Sequence, residues 1–477
     1  MKKAEVVFIP FPVMSHIVST LEFAKLLINR DNRLRITILV IKLPHSSETD
    51  YTKSLPITDS LNVINLPECS LPPNTPPTSA MIALIEAQKP NVKQAVSNLT
   101  TERGENGVLA AFVVDMFCTN MIDIAKEFSV PTLIFYTSGV ASLGLNFHLH
   151  TLRERDNVDV TQLQELAELA IPSFANSVPL YSFPDSVVSK KWEWFFMSYV
   201  KGLKNADGII VNSFEELESY AVHSFFSHPD LAALPTIYPV GPVLNPEPKT
   251  NGTDDSDDII KWLDDQHPSS VVFICFGTRG SFDEDQVNEI ARAIENSGVH
   301  FVWSLRKPQP KGTMAMPSNY SISDLVKLLP EGFLDRTKEI GRIIGWAPQT
   351  QILAHPATGG FVSHCGWNSI LESIYFGVPI ATWPLFAEQQ TNAFQLVCEL
   401  KMAVEITLDY RVELMGGPNY LLTEDRIERG MRNVLDMDGE FKKKVKEMSE
   451  KSRKTILEGG SSYTHLSRLI DFIINHI

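Results

Sequence analysis

The chain has 477 residues, which is long enough for two domains with separate hydrophobic cores. With 44% apolar and 21% charged residues, it has the composition of a soluble globular protein. Its formal net charge of -15 argues against a nucleic-acid-binding or anionic-membrane-binding role, so a phosphate ligand would have to be held by local groups.

The amino terminus and the cysteines favour a cytoplasmic protein without an integral membrane segment. Two lysines precede the apolar residues 6–11, but this run is short, contains Pro10 and leads into His16 rather than a cleavage site. We interpret it as the first strand. No window approaches the roughly 18 consecutive apolar residues that a membrane span needs. The five cysteines are scattered and odd in number, which predicts reduced thiols.

In the first half of the chain, apolar runs typical of strands alternate with segments of helical periodicity. This alternation predicts a doubly wound α/β fold, in which helices cover both faces of a parallel sheet. An insertion at residues 154–204 carries an aromatic cluster, and residues 213–216 predict a capping box that starts a helix. The predicted strands are residues 6–11, 35–42, 109–115, 131–136 and 208–212, and the predicted helices are residues 17–29, 119–128 and 138–153.

A second series of strands and helices follows a segment rich in proline and acidic residues, which predicts a linker. Residues 307–323 contain proline and serine and predict a surface loop. Residues 466–477 place an apolar face at helical spacing, which must pack on either domain. The predicted strands here are residues 270–276, 301–305, 342–345 and 359–363, and the predicted helices begin near residues 283 and 367.

Residues 346–390 concentrate chemically useful side chains in one run. Within it, an apolar strand is followed by a turn and by a helix that begins near Trp367. A helix amino terminus offers unpaired N–H groups and the positive end of a dipole, so it favours an anion. The residues that describe a receptor for a phosphate-like group are His364, Gly366, Asn368 and Ser369, with Glu372 in reach of a hydroxyl one turn further on.

Three polar groups follow predicted strands, where ligands of doubly wound sheets bind. They are His16, Asp115 and the pair Gly277-Thr278. A histidine beside a buried aspartate is a base that can take a proton from a hydroxyl, and His16 with Asp115 can form such a pair. A helix-capping histidine and a helix-capping aspartate are the alternative interpretation. The sequence has no phosphate-binding loop of the GxxxxGK type, no GxSxG and no spaced Cys/His metal set.

Residues 346–389 resemble the signature box of the plant UDP-sugar-dependent glycosyltransferases that modify small secondary metabolites. His16, residues 208–218, residues 276–278 and Asn392 match the same family outside the box. The resemblance implies a GT-B fold, in which two Rossmann-like doubly wound domains face each other across a cleft. The implied organisation is an acceptor-binding domain at 1–241, a linker at 242–258, a UDP-sugar-binding domain at 259–460 and a last helix at 461–477 that joins the first domain.

The resemblance also implies roles for individual residues. Trp346 would stack on uracil, the backbone of Ala347 would bind the edge of the base, and Glu372 would accept from the ribose hydroxyls. The diphosphate would be held by His364, Asn368, Ser369 and Thr278, and the sugar by Glu388, Gln389, the Trp367 backbone and Thr137. Gly277 and Gln349 complete the implied donor site.

The implied mechanism is a direct displacement that inverts the sugar and gives a β-glucoside. His16 would remove the acceptor proton and Asp115 would stabilise the imidazolium. UDP-glucose would be the co-substrate and no metal would be required, since N–H groups and His364 can stabilise the departing UDP. Gln389 resembles glucose users, whereas Glu388 replaces the commoner aspartate and leaves another UDP-sugar open.

The expected acceptor is a small planar phenolic or flavonoid bound in an apolar pocket. Its predicted lining is Met14, Ile17, Met81, Leu84, Ile85, Phe117, Phe147, Trp192, Phe196, Leu385 and Phe386. Core positions are the alternative interpretation of the aromatic cluster at 192–199. A UDP-sugar-hydrolysing epimerase of the same fold and a non-catalytic sensor are alternative functions. We expect a monomer whose partners are small molecules.

Overall fold

The computed structural model describes residues 3–43, 58–71, 75–103, 107–162, 167–245, 254–309, 316–412, 420–436 and 438–476. The chain divides into two compact units, and each is built around its own parallel sheet. The first unit contains Met1–Val158, Trp192–Leu244 and Lys454–Ile477, and the second contains Asp159–Lys191 and Asn245–Arg453.

The strands, in chain order, are β1 (Lys3–Ile9), β2 (Leu34–Val40), β3 (Leu61–Asn65), β4 (Gly107–Asp115), β5 (Thr132–Tyr136), β6 (Glu168–Leu169), β7 (Val178–Pro179), β8 (Gly208–Val211), β9 (Ile237–Pro239), β10 (Val271–Cys275), β11 (His300–Ser304), β12 (Arg306–Lys307), β13 (Ser318–Asn319), β14 (Gly341–Ile344), β15 (Thr358–Ser363), β16 (Ile380–Thr382) and β17 (Ala403–Glu405). The strands predicted from apolar runs are confirmed with ends shifted by a few residues. The strands that were not predicted are β3, β6, β7, β9, β12, β13, β16 and β17.

The α-helices are α1 (Met14–Arg30), α2 (Pro77–Ala87), α3 (Lys89–Arg103), α4 (Ile122–Glu127), α5 (Val140–Asp156), α6 (Asp185–Val188), α7 (Glu193–Lys204), α8 (Ser219–Ser227), α9 (Pro229–Ala232), α10 (Asp254–Asp264), α11 (Glu284–Ser297), α12 (Ile322–Leu328), α13 (Phe333–Thr337), α14 (Gln349–Ala354), α15 (Trp367–Phe376), α16 (Gln389–Phe394), α17 (Glu424–Val434), α18 (Glu440–Thr455) and α19 (Ser461–Ile474). Among the described residues, no helix has the length and apolar character needed to cross a membrane.

The two large sheets are parallel throughout. The first has the order β3-β2-β1-β4-β5-β8-β9, and the second has the order β14-β11-β10-β15-β16-β17. Strands such as β4 and β10 are almost wholly buried because helices cover both faces of a parallel sheet. Both units are thus doubly wound and Rossmann-like, as the alternation of strands and helices predicts.

The last helix packs on the first sheet. Leu466, Leu469, Ile470 and Ile473 of α19 lie in the same core as Val6 of β1. The apolar face predicted at residues 466–477 therefore covers the first unit, and only residue 477 lies outside the described residues.

The capping box predicted at Ser213 is wrong. The Ser213 hydroxyl donates to Glu218, and α8 begins only at Ser219. The Glu218 carboxylate accepts the N–H groups of Val140 at 2.8 Å and Ala141 at 2.9 Å. Because these N–H groups open α5 and have no partner within the helix, the buried carboxylate satisfies the start of a different helix from the one predicted.

Residues 159–191 correct the predicted boundary of the N-terminal domain, because they belong to the second unit. Arg411 fastens this segment by donating to the Tyr181 carbonyl at 2.7 Å and by pairing with Asp185. A charged side chain with several donors can hold an irregular segment that has little regular secondary structure of its own.

Two segments predicted as irregular contain regular structure. In the predicted linker at 242–258, residues 246–253 lie outside the described residues, and the chain is already helical from Asp254 in α10. In the predicted loop at 307–323, β12 and β13 form an antiparallel hairpin, and residues 310–315 lie outside the described residues.

Candidate active site

Both sheets reverse their strand order at one point, and the predicted polar residues gather at these two points. In the first sheet the reversal lies between β1 and β4. His16 follows β1, and Asp115 is the last residue of β4. In the second sheet the reversal lies between β10 and β15. Gly277 follows β10, and His364 follows β15. Crevices at the carboxyl ends of strands on either side of such a reversal are where doubly wound sheets bind ligands.

In the first unit, His16 and Asp115 form a direct pair. His16 Nδ1 lies 2.7 Å from Asp115 Oδ2, and the Asp115 side chain is fully buried while that of His16 is 17% exposed. The second carboxylate oxygen accepts the Phe117 N–H at 2.9 Å. A carboxylate that accepts from Nδ1–H leaves Nε2 as the basic nitrogen of the neutral ring. Thr137 Oγ1 lies 3.5 Å from His16 Nδ1.

Aromatic rings extend outward from this histidine. Phe11 and Phe117 flank His16 with ring centroids at 5.4 and 5.7 Å from the imidazole. Phe117 in turn contacts Phe195 at 6.2 Å and Tyr199 at 5.5 Å. His16 therefore lies beside an aromatic wall, which is a surface suited to a flat apolar molecule.

The predicted acceptor residues divide by burial. Met14, Met81, Phe117, Trp192 and Phe386 are partly exposed, whereas Ile17, Leu84, Ile85, Phe147, Phe196 and Leu385 are buried. Phe147 packs edge-on against Phe225, and Leu385 lies in the core of the second unit. All six buried residues offer little surface to a ligand in this structure, and their place in the acceptor wall stays a prediction. Phe11, which was not in the predicted set, belongs to the aromatic wall together with Phe195 and Tyr199 of the predicted cluster at 192–199.

In the second unit, His364 is enclosed by two glycines. A Cβ atom on Gly277 would lie 2.5 Å from His364 Nε2, and one on Gly366 would lie 2.6 Å from it, so neither position has room for a side chain. Gly277 also has a positive φ of 71°, which glycine adopts without strain. Burial lowers the pKa of His364 to about 4, so the ring is neutral near pH 7.

The turn between β15 and α15 presents a helix terminus without a cap. Gly366 is the N-cap of α15 and supplies no side-chain hydrogen bond. A helix amino terminus of this kind, here formed by Trp367, Asn368 and Ser369, is suited to an anion through its N–H groups and its dipole. Cys365 has a positive φ of 61°, and its carbonyl accepts from Asn392 Nδ2 at 3.0 Å. Asn392 thus holds a strained backbone in place, a role that the sequence did not reveal.

Gln349, which lies three residues after Trp346 in the chain, holds Glu372 by a hydrogen bond. Gln349 Nε2 donates to Glu372 Oε2 at 2.6 Å and to Ser369 Oγ at 2.9 Å. Burial raises the pKa of Glu372 to about 7, against weaker lowering by its hydrogen bonds from Gln349 and Thr350. The carboxyl group is therefore partly protonated at neutral pH.

The outer members of the predicted donor set follow β14 and β16 of the second sheet. Trp346 follows β14 and is 57% exposed, while Ala347 beside it is buried. Beyond β16, Gln389 Oε1 accepts the N–H groups of Leu385 at 2.9 Å and Phe386 at 3.1 Å, which leaves its amide nitrogen as the donor. Glu388 follows Ala387, whose φ is a positive 58°.

Along the carboxyl edge of the second sheet, the predicted donor residues occur in a chemical order. Trp346 follows β14, Gly277 and Thr278 follow β10, His364 follows β15, and Glu388 and Gln389 follow β16. Neighbouring strands are about 4.8 Å apart, so the row extends over roughly 19 Å. A flat ring, the predicted anion receptor and the polar side chains predicted to bind the sugar thus follow neighbouring strands in that order. Among the described residues, no group of three or more metal-binding side chains occurs.

Comparisons with known proteins agree with this arrangement. The family model described as "UDP-glucoronosyl and UDP-glucosyl transferase" matches residues 250–412. A Fragaria ananassa protein named putative UDP-glucose flavonoid 3-O-glucosyltransferase 3 is 49% identical over 99% of this chain and 100% of its own length.

Two solved structures are similar over almost the whole chain. A transferase from Siraitia grosvenorii in complex with UDP has a TM-score of 0.89 at 44% identity and covers 99% of this chain and 100% of its own. UGT71G1 of Medicago truncatula, complexed with UDP-glucose, has a TM-score of 0.86 at 37% identity and covers 99% of this chain and 98% of its own. These similarities confirm the predicted GT-B class with two Rossmann-like domains.

Proposed function

Since the chain belongs to the UDP-glucoronosyl and UDP-glucosyl transferase family and is a UDP-glycosyltransferase, we propose that it transfers glucose from UDP-glucose to a hydroxyl group of a flavonoid or related phenolic. The glucose donor and the flavonoid acceptor are supported by the name of the Fragaria ananassa relative. The aromatic wall beside His16 supports a planar acceptor.

The observation that carries the proposal is the 2.7 Å contact between His16 Nδ1 and the buried Asp115 carboxylate. His16 Nε2 accepts the proton of the acceptor hydroxyl while the oxygen forms a bond to the anomeric carbon. The bond from that carbon to the diphosphate breaks on the opposite face, UDP departs with the electron pair, and the sugar is inverted to a β-glucoside. Asp115 stabilises the imidazolium until the proton passes to solvent.

The donor is proposed to lie along the second sheet with uracil on Trp346, ribose at Glu372, and the diphosphate at His364, Thr278 and the amino terminus of α15. Glu388 and Gln389 are proposed to bind the sugar. The fixed N–H groups and His364 stabilise the departing UDP, and we propose that no metal is needed. We further propose a cytoplasmic location, because all five cysteines are free thiols, which persist in a reducing compartment. A monomer is proposed as well.

A panel of donors and acceptors tests the proposal. The purified protein is incubated with UDP-glucose, UDP-xylose or UDP-galactose and a flavonoid library, and products are identified by mass spectrometry with and without EDTA. We expect β-glucosides formed fastest from UDP-glucose, with EDTA having no effect. Faster transfer of another sugar would contradict the glucose assignment, and UDP release without any acceptor would favour the hydrolysing epimerase. Light scattering checks the monomer.

A further inference from the structure

Trp346 is the most exposed tryptophan at the proposed donor site, and an exposed ring needs a support if it is to present one face to a ligand. Its indole is 57% exposed. The guanidinium carbon of Arg306 lies 5.3 Å from the centroid of the Trp346 ring. A planar cation at this distance attracts an aromatic face and covers it, so one face of the indole is occupied by the protein itself.

Arg306 is held by the hairpin in which it lies. Its Nε donates to the Ser318 carbonyl at 3.3 Å, and its Nη2 donates to the Pro317 carbonyl. Within the part of the chain that the structure describes, no carboxylate pairs with Arg306. The hydrogen bonds run in the plane of the guanidinium and fix its orientation, so the flat face remains for the ring.

The residue before Trp346 is held by the same region. Asn319 is the cross-strand partner of Arg306, and a Cβ atom on Gly345 would lie 2.3 Å from Asn319 Cγ. The Gly345 carbonyl accepts from Ser304 Oγ at 2.7 Å. The peptide that leads into Trp346 is thus fixed by packing from one side and by a hydrogen bond, and a larger residue at 345 would displace Asn319.

We propose that the β12–β13 hairpin is a positioning element for the nucleobase, in which Arg306 holds Trp346 in the plane that stacks on uracil. The proposal rests on the proposed function, because it takes Trp346 as the base platform. Ordering a side chain before binding removes a cost that binding would otherwise carry. The hairpin therefore affects the affinity for every uridine-containing ligand and leaves the chemical step alone.

Lys307 provides a matched control. It is the next residue of the same strand, carries the same charge, and lies over the ring of Tyr320 at 5.8 Å instead of Trp346. Lys307→Met removes one positive charge from the same hairpin without touching the platform. Arg306→Lys keeps the charge and removes the planar group, whereas Arg306→Met removes both.

The test is titration calorimetry of these three variants and of Trp346→Ala with uridine and with UDP, together with the KM for UDP-glucose and kcat. We expect Arg306→Met and Arg306→Lys each to weaken both ligands by about two- to tenfold, to raise KM in proportion and to leave kcat unchanged. Lys307→Met should bind as the wild type does. The fluorescence emission of Trp346 is obtained by subtracting the spectrum of the same protein carrying Trp346→Phe. This emission should lie at longer wavelength in Arg306→Met than in the wild type.

The possible failures are separable. If Trp346→Ala weakens uridine but Arg306→Met does not, the hairpin has no positioning role and the base platform still stands. If Arg306→Lys binds like the wild type, or if Lys307→Met weakens binding equally, charge alone explains the effect and the proposal is overturned. If Trp346→Ala binds uridine normally, the proposed donor site is wrong.

Discussion

His16 and His364 both follow a strand at the point where their sheet reverses its order, yet their surroundings differ in kind. His16 contacts a buried carboxylate at 2.7 Å, whereas His364 is enclosed by Gly277 and Gly366 and has a pKa lowered to about 4 by burial. A carboxylate stabilises the protonated ring, and burial without a charge partner disfavours it. The same side chain is therefore suited to accept a proton in one unit and to remain a neutral hydrogen-bonding group in the other.

The largest effect is expected from removing the proposed base, His16. His16→Ala should lower kcat by about 10²- to 10⁴-fold, because no positioned group then takes the hydroxyl proton. UDP affinity, measured by calorimetry, should be unchanged because the residues proposed to bind UDP belong to the second unit. Turnover equal to the wild type would refute the assignment of His16.

Removing the second histidine should produce a different pattern. His364→Ala should lower kcat by about 10²- to 10³-fold, because one donor to the departing diphosphate is lost. Unlike His16→Ala, it should also weaken UDP binding. Steady-state kinetics and calorimetry measured together distinguish the two variants, and identical patterns would show that the two histidines do not have separate roles.

The next prediction concerns Asp115, whose carboxylate distinguishes the surroundings of His16 from those of His364. In Asp115→Asn, the amide oxygen can still accept the Phe117 N–H, so the amide nitrogen faces His16 Nδ1. Because that nitrogen is a donor, the ring takes the tautomer that carries its proton on Nε2. We expect kcat to fall by about 10²-fold, with the pH profile of kcat/KM shifted or flattened. A profile and rate like those of the wild type would argue that Asp115 only caps the next turn.

The smallest effect concerns pH and the donor. Because the pKa of Glu372 is raised to about 7, the carboxylate is lost as pH falls through 7. Uridine affinity should therefore decrease by about tenfold from pH 8 to pH 6, since the ionised group is the better acceptor for ribose hydroxyls. Uridine is the ligand of choice because it has no phosphate that titrates. Glu372→Gln should bind more weakly and without this pH dependence, and a flat profile in the wild type would contradict the role.

The sequence predicts best what is local. The donor residues between Trp346 and Gln389 lie in one run, and strand β15, the turn and helix α15 follow from apolar content and spacing alone. Glu218 shows the limit of local patterns. It accepts hydrogen bonds from Val140 and Ala141, which precede it in the chain by 78 and 77 positions. No local pattern distinguishes that carboxylate from one that starts the nearest helix.

The hairpin of Arg306 shows the same limit in a segment that the sequence predicts as a surface loop. Two strands of two residues each produce no readable periodicity, and the contact of Arg306 with Trp346 depends on how β12 is placed beside the end of β14. The burial of Phe147 was missed for a similar reason, because helical spacing does not tell which apolar residues face a ligand and which pack on another side chain such as Phe225.

By itself, the sequence determined the two doubly wound units, a helix terminus suited to an anion, and the residue types that the family resemblance assigns to a UDP-sugar site. The tertiary structure alone decided which of these groups meet and in what state. His16 and Asp115 are 99 positions apart and become a pair only because β1 and β4 lie side by side. The opposite pKa shifts of His364 and Glu372 arise from burial, which depends on every neighbour in the fold rather than on the residues next in the chain.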